Sequence, residues 1–241
     1  MVLFTDFGTA DIYVGQVKSV LHRLAPHASV IDLAHDLQAF NIRAAAHLLD
    51  ALKDSFQEGS VFLCVIDPGV GGTRRPIVMH AAGRHFVGPD NGLLSVVAAR
   101  AAEKRFWSIV WRPVGLSDSF HGRDLFAPIA AQIAAGTLTP GQLQTLAALA
   151  NDFGADDLEQ IIYIDHYGNA CTGIRADHAN AEKILHAKGR RIDRARVFGD
   201  VSRGSLLWYI NSHGLVEIAM NCGNAAGALG LQIGDPVSWA G

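Results

Sequence analysis

The stretch SVFLCVIDPGVGGTRRPIVMHA, residues 60–81, sets the reading of the whole chain. Val61 to Ile66 is apolar without alternation, the pattern of a strand buried on both faces of a covered sheet. The run stops on an acid, Asp67, and a proline, then turns through Gly69-Val70-Gly71-Gly72 to Arg74 and Arg75. A second apolar run, PIVMHAAGRHFVGPDNG, reads as a hairpin. A carboxylate and two guanidiniums therefore flank a loop almost bare of side chains. Such a loop holds a phosphate, carries catalysis, or turns a corner, and the surrounding sequence has to decide.

Working outward, MVLFTDFG reads as a short buried strand entering an acidic turn. DIYVGQVKSVLHRLAP is a helix with Asp11 as its cap and Pro26 beyond its end. SVIDL is a strand, and NIRAAAHLLDALKDSF an amphipathic helix capped by Asn41. LLSVVAARAAE and DLFAPIAAQIAAG are further helices, separated by the strand RFWSIVW. This alternation, running to about residue 137, predicts a layered α/β domain, residues 1–150, with a largely parallel central sheet. TDFG, DPGVGG and GPDNG each close an apolar run, and in such sheets ligands bind beyond the carboxyl ends of the strands. After a linker near 150–157 the texture becomes β-rich and helices grow scarce. QIIYIDHYGNACTGI, LLWYINSHGLVEIAMN and DPVSW predict a smaller all-β domain over residues 158–241.

About half of the 241 residues are apolar, enough for one large core or two modest ones. A formal net charge of −3 and the lack of a basic stripe argue against a nucleic-acid binder. The one dense basic run, KGRRIDRARVF at 188–198, is broken by Asp193 and reads as a solvated face. Cys64, Cys171 and Cys222 are widely spaced, which excludes a CxxC-type zinc framework and fits a reducing cytoplasm. Neither a signal peptide nor an apolar span long enough for a membrane helix is read, so no membrane partner is expected.

GVGGTR lacks the GK[ST] ending of a Walker loop, and TDFG and HGRD stand in the reverse of the protein-kinase order. Asp6, Asp67, Asp90, Asp124 and His121 offer the oxygen-rich set of a metal-dependent nucleotidase. Taken singly, however, each reads as a turn former or helix cap, so no metal site is expected.

The ordered set TDFG, DPGVGGTRR, GPDNG, FHGRDLFAP, IDHYGN and NSHG…IAMNCGNAA resembles the S-adenosyl-L-methionine (SAM) hydrolases, or SAM hydroxide adenosyltransferases. That family is related to the SAM-dependent fluorinase and chlorinase. The resemblance spans nearly the whole chain and implies an N-terminal α/β domain followed by a small C-terminal β-barrel. It implies the reaction of SAM with water to give adenosine and L-methionine, with SAM as substrate and no cofactor. Asp67, Arg74 and His121 match the family's water-activating Asp, Arg and His. Because the halogenating relatives carry other residues at the Asp and His positions, water is expected as the nucleophile. A SAM-dependent halogenase and a non-catalytic adenosine or SAM binder are the alternatives.

The chemistry fits those residue types. The leaving group is a neutral thioether departing from a sulfonium, so no general acid is needed. The nucleophile is the difficulty, since free water has a pKa of about 15.7. Asp67 and His121 can both accept a proton or hydrogen bond from water, and Arg74 can hold the carboxylate bidentately. The glycines are expected to let the backbone close around the sulfonium end.

By the same resemblance, Asp6 takes the ribose hydroxyls, and Phe40 and Phe198 place rings beside the nucleoside. Asp165 takes the methionine ammonium, Asn169 contacts adenine, Ser212 holds the methionine carboxylate, and the backbone at Cys222 meets the adenine edge. His213 stands where the fluorinase has an arginine, so the carboxylate is expected to be held differently here; Met220 replaces another arginine at a place where a backbone contact would survive the change. The family assembles as a homotrimer, with sites between the N-terminal domain of one subunit and the C-terminal domain of the next.

Overall fold

The computed structural model describes residues 1–179 and 184–240. The chain divides into two compact units, Met1–Leu49 with Lys53–Ala155, and Asp156–Gly241 with Asp50–Leu52.

In chain order, the first part of the chain carries β1 (Val2–Thr5), α1 (Tyr13–Leu24), β2 (Ile31–Ala34), α2 (Ile42–Leu52), β3 (Val61–Val65), β4 (Pro76–Ala81), β5 (Arg84–Pro89), α3 (Ser95–Arg100), β6 (Lys104–Ile109), α4 (Ala127–Ala135) and β7 (Leu143–Leu146). The seven strands form one sheet in the order β2-β1-β3-β5-β4-β6-β7. β2, β1, β3 and β5 run parallel, while β4, β6 and β7 extend the sheet antiparallel. As its unbroken apolar run predicts, β3 is buried along its whole length. Val61, Leu63 and Val65 join a core with Val17 and Leu21 of α1 and Ile129 and Ala130 of α4. Phe62 points to the other face, where its ring stacks on Phe86 at 5.0 Å.

The order β2-β1-β3 places a topological switch between β1 and β3. The chain leaves β1 toward one side for β2 and returns to the other side for β3. Asp6 follows β1, Asp67 follows β3, and Asp90 follows β5, so three parallel strands deliver three acids to one sheet edge. This is where ligands of open α/β sheets bind.

Local signals behave as their chemistry dictates, with two exceptions. Asn41 caps α2, its Oδ1 accepting from the Ala44 N–H at 3.1 Å. Asp11 instead accepts from the Ile12 N–H at 2.7 Å, one residue short of a true cap, and α1 starts without a side-chain cap. The helix expected from Asp124 begins with a π-helical turn, Gly122–Phe126, and becomes α-helical at Ala127. Asp124 lies inside that turn, accepting from the Ser117 N–H and pairing with Arg123.

The second part of the chain carries β8 (Leu158–Ile164), β9 (Ala170–Arg175), β10 (Ile184–Ala187), β11 (Arg190–Ile192), β12 (Leu206–Ile210), β13 (Leu215–Met220), α5 (Ala225–Leu229) and β14 (Val237–Ala240). These strands make two antiparallel sheets, β12-β13-β9-β8 and β11-β10-β14. Ile161, Ala170, Leu185, Trp208, Ile218 and Val237 fill the core. The fold is thus an α/β domain with a central sheet followed by a β domain. Among the described residues no helix is long and apolar enough to cross a membrane.

Candidate active site

The DPGVGGTR loop turns back so that Arg74 meets the acid that opened it. Arg74 Nε donates to both Asp67 oxygens, at 2.9 and 3.0 Å, and Arg74 Nη2 donates to Asp67 Oδ2. The two side chains are 10% and 4% exposed, so the pair is nearly dry. Arg74 also lies over the Phe126 ring, 5.2 Å from its centroid, which fixes the guanidinium plane. Its Nη2 makes a further contact of 2.9 Å to His121 Nδ1. Arginine has only donors, so Nδ1 must be the acceptor. The neutral imidazole therefore carries its proton on Nε2. Asp67, Arg74 and His121 form one connected set, with arginine in the middle.

The loop is held there by backbone contact. Gly71 has φ +75°, and a Cβ on it would stand 2.3 Å from the Asp118 carbonyl oxygen. Only glycine lets residues 67–74 lie against the segment that leads to His121. Asp90 anchors the other end of the loop. Its buried carboxylate takes Arg75 Nε at 2.9 Å and the Ala150 N–H at 3.0 Å, while its own N–H donates to the Arg75 carbonyl. Three of the four carboxylates raised as metal ligands are thus engaged with guanidiniums: Asp67 with Arg74, Asp90 with Arg75, and Asp124 with Arg123. Among the described residues no three His, Cys, Asp or Glu side chains gather as a metal-binding group.

Asp6, Phe40, Asp67 and His121 line one cavity of about 430 Å³, with Phe7, Tyr13 and Phe120 forming an aromatic wall. The three rings meet tilted or edge-on, with centroids 5.3 to 6.1 Å apart. Burial pushes the Asp6 carboxyl above the ordinary range, partly offset by the Phe40 N–H on Oδ2 at 3.3 Å, while Asp67 nearby raises it further. Burial, then the Arg74 charge, lower the pKa of His121, so its neutral form persists to lower pH than usual.

Phe40 is 73% exposed and has φ +68°. A bulky residue in that region is an outlier that the structure must impose. Among the described residues four non-glycine residues have positive φ: Phe40, Ala82, Lys188 and Cys222. Ala82 and Lys188 precede Gly83 and Gly189 in hairpin turns whose twist requires that conformation. Phe40 and Cys222 sit in no such hairpin, and both are expected at the nucleoside.

In the second unit, Asp165 Oδ1 accepts from the Tyr167 and Asn169 N–H groups at 2.9 and 2.8 Å. Asn169 Nδ2 donates to Asp165 Oδ2 at 2.9 Å, so these two expected binding residues form one turn. The Phe198 ring meets Tyr209 edge-on at 5.3 Å. Ser212 and His213 are exposed on the turn Asn211–Gly214 that joins β12 to β13, and Cys222 is exposed beyond β13. Sequence reasoning missed Arg75 and Asp90 as the loop's anchor, and Tyr209, Asn211 and Glu217 beneath Phe198 and Ser212. Only pairing across a hairpin brings these together, and no short motif carries that signal.

Residues 1–144 match the SAM hydroxide adenosyltransferase N-terminal domain, and residues 159–238 match the SAM hydroxide adenosyltransferase C-terminal domain. The chain is 38% identical to a protein of Thermus thermophilus named (R)-S-adenosyl-L-methionine hydrolase, over 97% of this chain and 96% of that one. It is 36% identical to a protein of the same name from Salinispora arenicola, over 96% and 94% of the two chains. It superposes on the crystal structure of an uncharacterized conserved protein from Thermotoga maritima with a TM-score of 0.90, at 33% identity and full coverage of both chains. The strands that deliver Asp6 and Asp67 to one cavity, and the two matched domains in order, place this chain in the SAM hydroxide adenosyltransferase family.

Proposed function

We propose that the protein hydrolyses SAM to adenosine and L-methionine by attack of water on the ribose C5′ carbon. The observation that carries this reading is the connected Asp67–Arg74–His121 set, whose Asp67 and His121 line a cavity at the sheet's switch point. The hydrolase names of the similar proteins agree with it.

In the proposed step, the water oxygen forms a bond to C5′ while the C5′–sulfonium bond breaks. Its electron pair goes to sulfur, which leaves as the neutral thioether of methionine. The proton passes to Asp67, because Arg74 occupies the Nδ1 lone pair of His121. His121 then serves through Nε2–H as a donor that orients the water, and Arg74 keeps Asp67 aimed. The near-dry pair strengthens the attraction between the nascent hydroxide and the sulfonium. A halide would be repelled by the anionic Asp67 at the nucleophile position, which disfavours halogenation. This chemistry uses no cofactor.

In this reading Asp6 takes the ribose diol, Phe40 and Phe198 flank the nucleoside, and Asn169 and the Cys222 backbone meet adenine. Asp165 and Ser212 take the ammonium and carboxylate of methionine. We also propose a homotrimer acting in the cytoplasm, with substrate held between subunits. Exposed Ile12, Tyr13 and Phe40 support association, since clustered exposed apolar side chains mark contact surfaces. The unpaired cysteines fit a reducing compartment. Light scattering at three times the chain mass is the expected result, and a monomer at assay concentration would contradict it.

The test of the reaction is product analysis after incubating purified protein with SAM, with and without chloride and after EDTA treatment. Equimolar adenosine and methionine, unchanged by EDTA, is expected. A 5′-chlorinated nucleoside would assign a halogenase, and tight binding without turnover a binder.

A further inference from the structure

Glu217 is a nearly buried carboxylate, 8% exposed, in the middle of β13. Register places it opposite Tyr209 of β12 and Cys171 of β9, on the face turned away from the core formed by Trp208, Ile218 and Ala170. Among the described residues no lysine or arginine pairs with it. A buried carboxylate without a cation is costly unless its oxygens are hydrogen-bonded. Both are: Tyr209 Oη donates to Oε1, and Asn211 Nδ2 donates to Oε2 at 2.9 Å.

Each donor is tied to a different expected substrate contact. Tyr209 meets the Phe198 ring at 5.3 Å. Asn211 Oδ1 accepts from the N–H groups of His213 and Leu215, at 3.0 and 3.1 Å, closing the turn that presents Ser212 and His213. A carboxylate can only accept, so it obliges the Asn211 amide to turn its NH2 inward and its carbonyl toward the turn. The burial and hydrogen bond that hold Tyr209 protonated act in the same sense, keeping its hydroxyl a donor.

We propose that Glu217 is a positioning residue that, through Tyr209 and Asn211, fixes both the Phe198 ring and the Ser212–His213 turn for substrate. It thereby sets affinity for SAM and not the rate of water attack. This rests on the proposed function, in which Phe198 and Ser212 face substrate.

Three variants test it: Glu217→Ala, Glu217→Gln and Tyr209→Phe. Steady-state kinetics with SAM and calorimetric titration with SAM and adenosine are the readouts. Glu217→Ala is expected to raise KM about tenfold, the scale of one or two lost hydrogen bonds, with kcat within about threefold of wild type. Glutamine keeps an acceptor for Asn211 and can donate to the Tyr209 oxygen, so Glu217→Gln is expected to recover wild-type KM within about threefold. Tyr209→Phe is expected to weaken adenosine binding several-fold by freeing Phe198. Unchanged KM and Kd in Glu217→Ala, equal losses in kcat and KM, or failure of glutamine to rescue would each overturn the proposal. If the alanine variant does not fold, unchanged adenosine affinity in Tyr209→Phe overturns it, and a weakened affinity at retained Tm upholds it. A wild-type protein that binds SAM but releases no adenosine would fail the proposed reaction, while the calorimetric comparison still decides the role of Glu217.

Discussion

Replacing Asp67 with asparagine removes one charge from the best-defined contact in the first unit and has two separable consequences. Both Asp67 oxygens take N–H donors from Arg74, and the side chains are 4% and 10% exposed. Asparagine leaves one acceptor and turns an NH2 toward the guanidinium, so the arginine charge is left partly uncompensated. Breaking a buried pair by removing one partner costs about 3–5 kcal/mol, and the retained acceptor points to the lower end. At roughly 2–4 °C per kcal/mol for a protein of this size, Tm should fall by about 6–12 °C. The rate consequence comes from losing the proton acceptor, which costs about two powers of ten or more in kcat. KM for SAM should move far less, because Asp6 and the aromatic wall are untouched. Chromatographic adenosine release below the melting transition, with calorimetric SAM titration, reads both effects. A folded Asp67→Asn protein with near-normal kcat would refute the assignment of Asp67 as acceptor.

Other perturbations follow from the same geometry. His121→Ala should lower kcat by about two powers of ten with SAM binding retained, and an unchanged rate would remove imidazole from the mechanism. Because burial and Arg74 lower the pKa of His121, kcat/KM should stay flat through neutrality and fall only below the ordinary histidine range near 6.5. For stability, the unfolded chain takes up the His121 proton first. That contribution is therefore present above the unfolded pKa and lost as pH falls through it toward the folded value. If the acid limb survives in His121→Gln, it belongs to a carboxyl of the cavity and not to the imidazole. Asp6→Ala should abolish the preference for adenosine over 2′-deoxyadenosine in calorimetric titration, and a retained preference would move the diol contact elsewhere. Gly71→Ala combines a positive φ with a Cβ 2.3 Å from the Asp118 carbonyl oxygen. It should lower both Tm and kcat by displacing the loop, and wild-type values for both would contradict that packing.

Much of this fold could be read from residues because its strongest signals are local. β3 is one apolar run, Asn41 caps α2, and PIVMHAAGRHFVGPDNG folds back as β4 and β5. The acids closing β1, β3 and β5 were legible as one edge because parallel strands share a direction. Less legible were features whose cause is distant in sequence. The placing of β4 between β5 and β6, and the antiparallel edge strand β7, depend on sheet pairing, which leaves no period in the sequence. The π-helical turn at Gly122–Phe126 reads as ordinary helix because five residues are too few to expose a changed period. Helix α5, also five residues, is likewise too short to show a helical period. At the site, the Asp67–Arg74 partnership was expected, but the arginine's hold on His121 Nδ1, which decides the tautomer, required coordinates. Glu217 was invisible for a related reason: it resembles an exposed strand residue until Tyr209 and Asn211 are seen to cover it.

The most direct test of the whole account is hydrolysis of SAM in water enriched in oxygen-18, followed by mass spectrometry of both products. One labelled oxygen in the 5′-hydroxyl of adenosine, with unlabelled methionine, is the predicted result. Unlabelled adenosine, or 5′-methylthioadenosine with the label in the amino-acid fragment, would contradict attack at C5′.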